Sequence, residues 1–211
     1  MSFQGHQTVH KNSSRYKKMT REDINELPLQ RYEGPISFIR SAEDIPAMLD
    51  DLNQETVLGF DIEIRPAFKK GQSYPPALLQ LACSNTVYIL QLKKTGISPG
   101  VINLLANKSI TKSGVSIHFD VLKLLEICTF EPHSFVDLAV PAKTAGLKNF
   151  GLRGLAAALL GIRIPKGAQR TNWAQDDLTD NQIRYAATDA WAGREIYLEM
   201  VRKKIINHSG G

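Results

Sequence analysis

Asp61 and Glu63 stand two residues apart in Thr56-Val57-Leu58-Gly59-Phe60-Asp61-Ile62-Glu63-Ile64, a run of β-branched and apolar residues that predicts a buried strand. Alternation turns Leu58, Phe60, Ile62 and Ile64 to one face and both acids to the other. Side by side on a core strand, the two carboxylates repel each other and lose hydration. A metal cation, an Arg or Lys, or a raised pKa then has to compensate. Taken alone, the pair also fits a strand end whose acids reach water or a surface ion pair. Tyr185 and Asp189 form a second pair, four apart in a helical pattern and therefore on one face about a turn apart. Ala186, Ala187, Ala190, Ala192 and Gly193 keep that helix slim, so its backbone can approach a sheet and bring Asp189 to the strand carboxylates. A surface Tyr–Asp pair is the plainer alternative. Asp120 follows a strand and heads a helix, where it is either displayed at a sheet edge or an ordinary N-cap. His118 reads as a bystander.

These residues need elements to hold them. Ser41 with Asp44 predicts a helix start, and Ile45, Met48, Leu49 and Leu52 recur at helical spacing, giving a helix near 42–53. Residues 77–83 and 86–92 are apolar runs separated by Ser84-Asn85, a tight antiparallel hairpin. Ser98-Pro99 opens a helix over 99–107. A strand over 110–117, a short helix from Asp120 and a short strand over 134–136 come next. Helices over 151–160 and 179–205, the latter capped by Thr179, complete the pattern. Strands early with helices interleaved predict a mixed α/β domain over residues 33–206. Residues 1–32 are expected to be a basic extension and 207–211 a tail.

The chain has 211 residues, 26 Lys and Arg against 21 Asp and Glu, and two cysteines without metal-ligand spacing. That composition fits one globular domain and argues against disorder, a disulfide scaffold or a zinc site. No apolar run reaches the roughly 20 residues of a membrane span, so a cytoplasmic protein without membrane association is expected. Of the net charge of +5, Lys11, Arg15, Lys17 and Lys18 account for most, since residues 1–18 contain no acid. A second acid-free stretch, 141–175, holds Lys143, Lys148, Arg153, Arg163, Lys166 and Arg170 and is a candidate contact for a phosphate backbone.

Together the motifs Phe60-Asp61-Ile62-Glu63, Gly114-Val115-Ser116-Ile117-His118-Phe119-Asp120 and Tyr185-Ala186-Ala187-Thr188-Asp189-Ala190 resemble the DEDD superfamily of 3′–5′ exonucleases, tyrosine subclass. Ala77-Leu78-Leu79-Gln80-Leu81 and Asn172-Trp173 extend the match over about residues 56–201, nearest the ribonuclease D-like and Werner-helicase exonuclease branch. The histidine subclass would need a His where Arg184 stands. His118-Phe119 departs from the small or polar residues that relatives often carry there, and only ten residues follow Val201, which looks like an exonuclease module standing alone.

The resemblance implies a ribonuclease H-like fold, α/β, with a mixed five- to six-stranded sheet flanked by helices. It implies a metal set of Asp61, Glu63, Asp120 and Asp189. Four such carboxylates about 5 Å apart repel by roughly 3 kcal/mol per pair at an effective dielectric of about 20, and divalent cations resolve the conflict. Oxygen-only ligands favour Mg²⁺ or Mn²⁺, two ions in all. Asp61 would bridge both ions, Glu63 and Asp189 complete the first site, Asp120 hold the second through water, and Tyr185 orient the attacking water. The implied product is a 5′-mononucleotide cut from the 3′ end of DNA or RNA. Ile62, Arg65, Lys69, Lys70, Arg153, Lys166 and Arg170 are the expected substrate-binding residues. A catalytically idle nucleic-acid-binding or scaffold module on the same fold, or an endonuclease, is the competing reading. Oligomeric state and the choice between DNA and RNA are not legible.

Overall fold

The computed structural model describes residues 16–206 apart from Gln169. Helix α1 (Arg21–Glu26) is closed by a capping box between Thr20 and Asp23. Strand β1 (Ile36–Ile39) precedes a 3₁₀ turn (Ala42–Asp44) and α2 (Ile45–Leu52), with Ser41 capping the turn. Next come β2 (Val57–Ile64), β3 (Pro76–Ala82), β4 (Val87–Gln91), α3 (Leu92–Thr95) and α4 (Pro99–Ala106), the last capped by Ser98. They are followed by β5 (Thr111–Gly114), α5 (Ile117–Leu125), β6 (Phe135–Asp137), α6 (Ala139–Thr144) and α7 (Leu152–Leu155). A π-helical turn (Ala156–Leu160) extends α7, and α8 (Asp180–Arg202) starts from a capping box of Thr179 and Gln182.

The six strands form one mixed sheet in the order β1-β4-β3-β2-β5-β6. Hairpins make β2–β3 and β3–β4 antiparallel, whereas β1–β4, β2–β5 and β5–β6 are parallel. One face of the sheet packs Leu58, Phe60 and Ile62 against Met48, Leu52, Leu104, Val121 and Leu124 of α2, α4 and α5. Each such fully buried side chain contributes roughly 1.5–3 kcal/mol, which locks the register of β2 and forces the alternate residues, Asp61 and Glu63 among them, to the opposite face. That face belongs to α8. Its Ala186, Ala187 and Ala190 lie on β3 and β4, and Gly193 sits over Ser113 of β5. Ser113 Oγ lies 3.2 Å from Leu58 O and 3.4 Å from Gly193 O, tying two strands to the helix. Arg194 donates to Val57 O (3.2 Å) and pairs with Glu55 (3.3 Å), fixing the helix along the strand direction.

Most predicted elements are present with boundaries moved by a few residues; the predicted 151–160 helix is instead α7 followed by the π turn. The predicted helix headed by Asp120 begins earlier, at Ile117, so Asp120 lies in its first turn and is not the N-cap. Strand β1 and helices α1, α3 and α6 were not predicted. Part of the expected basic extension is held on the domain. Met19 and Asn149 exchange hydrogen bonds (2.9 and 3.0 Å), Leu29 bridges Arg163, and Arg184 donates to Tyr32 O (3.0 Å). Lys11, Arg15 and the 207–211 tail lie outside the described residues. Both cysteines are free thiols, and no described helix is long and apolar enough to cross a membrane.

Candidate functional site

Asp61 and Glu63 leave the α8 side of β2, and Asp189 descends to them from α8. One carboxylate oxygen from each of the three lies within 4.8 Å of the others. Among the described residues no Lys, Arg or His forms a salt bridge with any of them or with Asp120. Gln80, the cross-strand neighbour of Asp61, is fully buried with neither amide atom hydrogen-bonded. Asp120 stands outside the three-carboxylate cluster, yet near enough for its charge to be felt at Asp61 and Glu63.

Burial dominates the electrostatics. It pushes Glu63 up to about 10, with Asp61, Asp189 and Asp120 adding repulsion. Asp61 is raised well above the ordinary carboxylate range by burial and by Asp189 and Asp120, against the Ile62 backbone N–H, which stabilises its charge. Asp120 rises to about 7 through burial and the nearby Asp137. Asp189 also rises to about 7 through burial, opposed by a hydrogen bond from Tyr185 and by the charge of Arg153. Such a cluster holds protons at neutral pH until a cation displaces them. Oxygen-only ligands, clustered and without a basic partner, fit a hard divalent ion.

The sign of the pH dependence follows. Acids whose pKa is higher in the folded than in the unfolded chain, where it is about 4, contribute stability that is complete below pH 4 and is lost as pH rises through the folded values. With EDTA present, the melting temperature is therefore expected to fall between pH 5 and 8 as Asp120 and Asp189 ionise near 7 and Glu63 starts toward 10. Excess Mn²⁺ should flatten the slope. A melting curve that is level or rising with pH in EDTA would contradict this account.

Tyr185 lies one helical turn before Asp189, and burial beside three carboxylates raises its pKa far above that of free tyrosine. It is thus a permanent hydroxyl donor and not a base. The cleft in front of Tyr185 and Asp189 measures about 300 Å³ and is lined by Gly151, Leu152, Arg153, Gly154 and Lys166. Arg153 is aimed by a hydrogen bond from its Nε to Ile164 O (3.0 Å). Of the acid-free stretch 141–175, then, Arg153 and Lys166 line the same cleft as Asp189. Lys143 lies over Phe150, and Arg170 is exposed in the connection before α8.

Ile62, expected to touch substrate, turns its side chain into the core (6% exposed), because strand alternation sends it opposite to Asp61 and Glu63; only its main chain faces the site. Arg65 stacks 4.9 Å over Tyr74 in a small cleft with Trp173 and Lys93, and Lys69 and Lys70 are exposed on the β2–β3 loop. Asp137 was missed from the sequence. It accepts from the N–H groups of Ser116 (3.1 Å) and Ala139 (3.0 Å), and so holds Ser116 in a left-handed turn (φ 63°) that starts α5 and aims Asp120. An acid just past a short strand was the only local signal.

A family profile described as 3′–5′ exonuclease matches residues 36–205. The chain is 33% identical over 210 residues to the mouse protein named bifunctional 3′–5′ exonuclease/ATP-dependent helicase WRN, covering 95% of this chain and 15% of that protein. It is 35% identical over 170 residues to ribonuclease D of Haemophilus influenzae, covering 77% of this chain and 41% of the relative. The chain thus spans well under half the length of both. Among solved structures, the Aedes aegypti Nibbler EXO domain superposes with a TM-score of 0.74 over 83% of this chain and 91% of that one, at 23% identity, and so shares the fold. With the profile covering the sheet, α8 and all four acids, the chain belongs to the 3′–5′ exonuclease family.

Proposed function

We propose that this protein hydrolyses nucleic-acid phosphodiesters from the 3′ end and releases 5′-mononucleotides, with two Mg²⁺ or Mn²⁺ ions as cofactor. The observation that carries the reading is the meeting of Asp61, Glu63 and Asp189 within 4.8 Å, without a basic partner, beside a cleft bearing Arg153 and Lys166. A binding module has no use for repelling, half-buried acids facing a polyanion, which disfavours the idle alternative. Asp61, Glu63 and Asp189 would hold one ion, Asp61 and Asp120 the other. Bound ions of this kind make water nucleophilic and stabilise the leaving oxygen. The chain's own groups do the rest. Tyr185, lining the cleft beside Asp189, offers a hydroxyl that orients the attacking water. Arg153 and Lys166 neutralise the phosphate as it enters, and Lys69, Lys70 and Arg170 are proposed to track the backbone farther out. The free thiols suit a reducing compartment such as the cytoplasm.

The test is a time course on 3′- and 5′-labelled DNA and RNA oligonucleotides with Mg²⁺, Mn²⁺ or EDTA. Metal-dependent mononucleotide release from the 3′ label is expected; internal fragments, or binding without cleavage, would refute the reading. Tyr185→Phe should lower kcat about 10²-fold, the typical cost of a misplaced reactant, while the Mn²⁺-induced thermal shift stays as in the wild type. An unchanged kcat would remove Tyr185 from the chemistry.

A further inference from the structure

Phe68 is 83% exposed, the most exposed large apolar side chain among the described residues. Leaving an aromatic ring in water forgoes burial that would otherwise favour the fold, and the ring sits on no core cluster. Its neighbours are Lys69 and Lys70, both exposed, with no acid between Ile64 and Leu92. The loop leaves β2 after Ile64, so it starts at the end of the strand that carries Glu63.

The loop is also braced. Gln72 N donates to Lys69 O (3.2 Å), with Gly71 at φ 84° completing the turn. Lys123 of α5, one turn beyond Asp120, donates from Nζ to Ser73 Oγ (2.6 Å) and pairs with Glu126 (2.8 Å). The same ammonium lies 5.8 Å from the ring of Phe119, itself 57% exposed and next to Asp120. One lysine thus joins the loop carrying Phe68 to the helix carrying Phe119; Phe119 directly precedes Asp120, and Phe68 follows Glu63 by five residues.

We infer that Phe68, with Phe119 across the Lys123 brace, is a stacking platform for unpaired bases near the 3′ end, and that Lys69 and Lys70 hold the adjoining phosphates. Exposed aromatic rings interleaved with cations are how proteins grip single strands without reading sequence, because every base offers a π face and every link a charge. The platform makes an unpaired 3′ end the preferred substrate over a blunt duplex. This rests on the exonuclease reading for its biological meaning, but its binding test does not require cleavage.

Equilibrium binding in EDTA, read by fluorescence anisotropy, separates the two. The probes are a single-stranded oligonucleotide, the same strand with abasic sites at its 3′-terminal positions, and a blunt duplex. Phe68→Ala is expected to weaken binding of the normal strand about tenfold, the typical loss of one stacked base, with no change in melting temperature. Phe68→Trp should restore it, Phe119→Ala should weaken it in the same direction, and the abasic strand should bind wild type and Phe68→Ala alike. Equal binding of the normal strand by wild type and Phe68→Ala overturns the inference. So does an equal loss on the abasic strand, or failure of the wild type to bind single strands. If stacking is seen but no oligonucleotide is shortened in Mn²⁺, the platform stands and the exonuclease reading falls.

Discussion

Asp61→Asn is expected to abolish cleavage while making the metal-free protein more stable. Asp61 is central to the cluster: its charge raises Glu63, its oxygen is one of the three within 4.8 Å, and, half-buried, it has little water to spread its charge. An amide keeps the shape and removes the repulsion. At 4 Å and an effective dielectric of about 20, one carboxylate pair repels by about 4 kcal/mol, and partial protonation already relieves much of that. A gain of about 2 kcal/mol near pH 8 in EDTA follows, which for a chain of this size raises the melting temperature by about 4–8 °C. The same change removes the ligand shared between the proposed ion sites. A rise of about 4 kcal/mol in the barrier, or a fall of about 10³-fold in kcat/KM, is expected, and the Mn²⁺-induced thermal shift should vanish. Asp120→Asn is the internal comparison. Since Asp120 lies outside the three-oxygen cluster, that variant should lose activity yet retain part of the thermal shift. Cleavage by Asp61→Asn within tenfold of wild type, or an undiminished Mn²⁺ shift, would show that these carboxylates do not hold the metal.

The same carboxylates show how far the sequence could be read. Asp61 and Glu63 were visible because a strand's two-residue period is strict, and the apolar partners Leu58, Phe60 and Ile62 left no choice of face. Tyr185 and Asp189 were visible because a Thr179 cap and small residues mark α8 locally. The Ser84-Asn85 hairpin was equally local. What failed was what distance in the chain conceals. Strand β1 has only four residues and pairs in parallel with β4, some fifty residues on, so no turn announces it. Arg153 was expected at the substrate, but the break of the expected 151–160 helix into α7 and a π turn over Ala156–Leu160 has no local signal in a sequence that reads as an ordinary apolar helix. Asp137 acts on Asp120 across the parallel pairing of β5 and β6, in which Gly114 faces Asp137. Ile62, expected at the substrate, is adjacent in sequence to these acids, yet its side chain points away from them and only its main chain faces the site.

Gly59 carries the second large effect, because the site exists only as far as α8 can lie on β2. A Cβ built on Gly59 would be 2.0 Å from the carbonyl oxygen of Ala190 and 2.9 Å from its carbon. Both are backbone atoms of the residue after Asp189, so no side-chain rotation relieves them. Helix and strand must part by about 1 Å to reach even the 3.0 Å floor of real contacts. Overpacking of this kind typically costs about 3 kcal/mol, so Gly59→Ala is expected to melt about 6–12 °C below wild type. Where it remains folded, at low temperature, kcat should still fall about 10²-fold, since a displacement of about 1 Å carries Asp189 and Tyr185 away from Asp61 and Glu63. The Mn²⁺-induced thermal shift should shrink with it. Gly71→Ala separates this from a general intolerance of glycine replacement. Gly71 has a positive φ with open space around it, so alanine there should cost only about 1 kcal/mol of backbone strain and leave the metal response intact. A Gly59→Ala protein with wild-type melting and wild-type turnover would mean that the close seat of α8 on β2 does not set the carboxylate geometry.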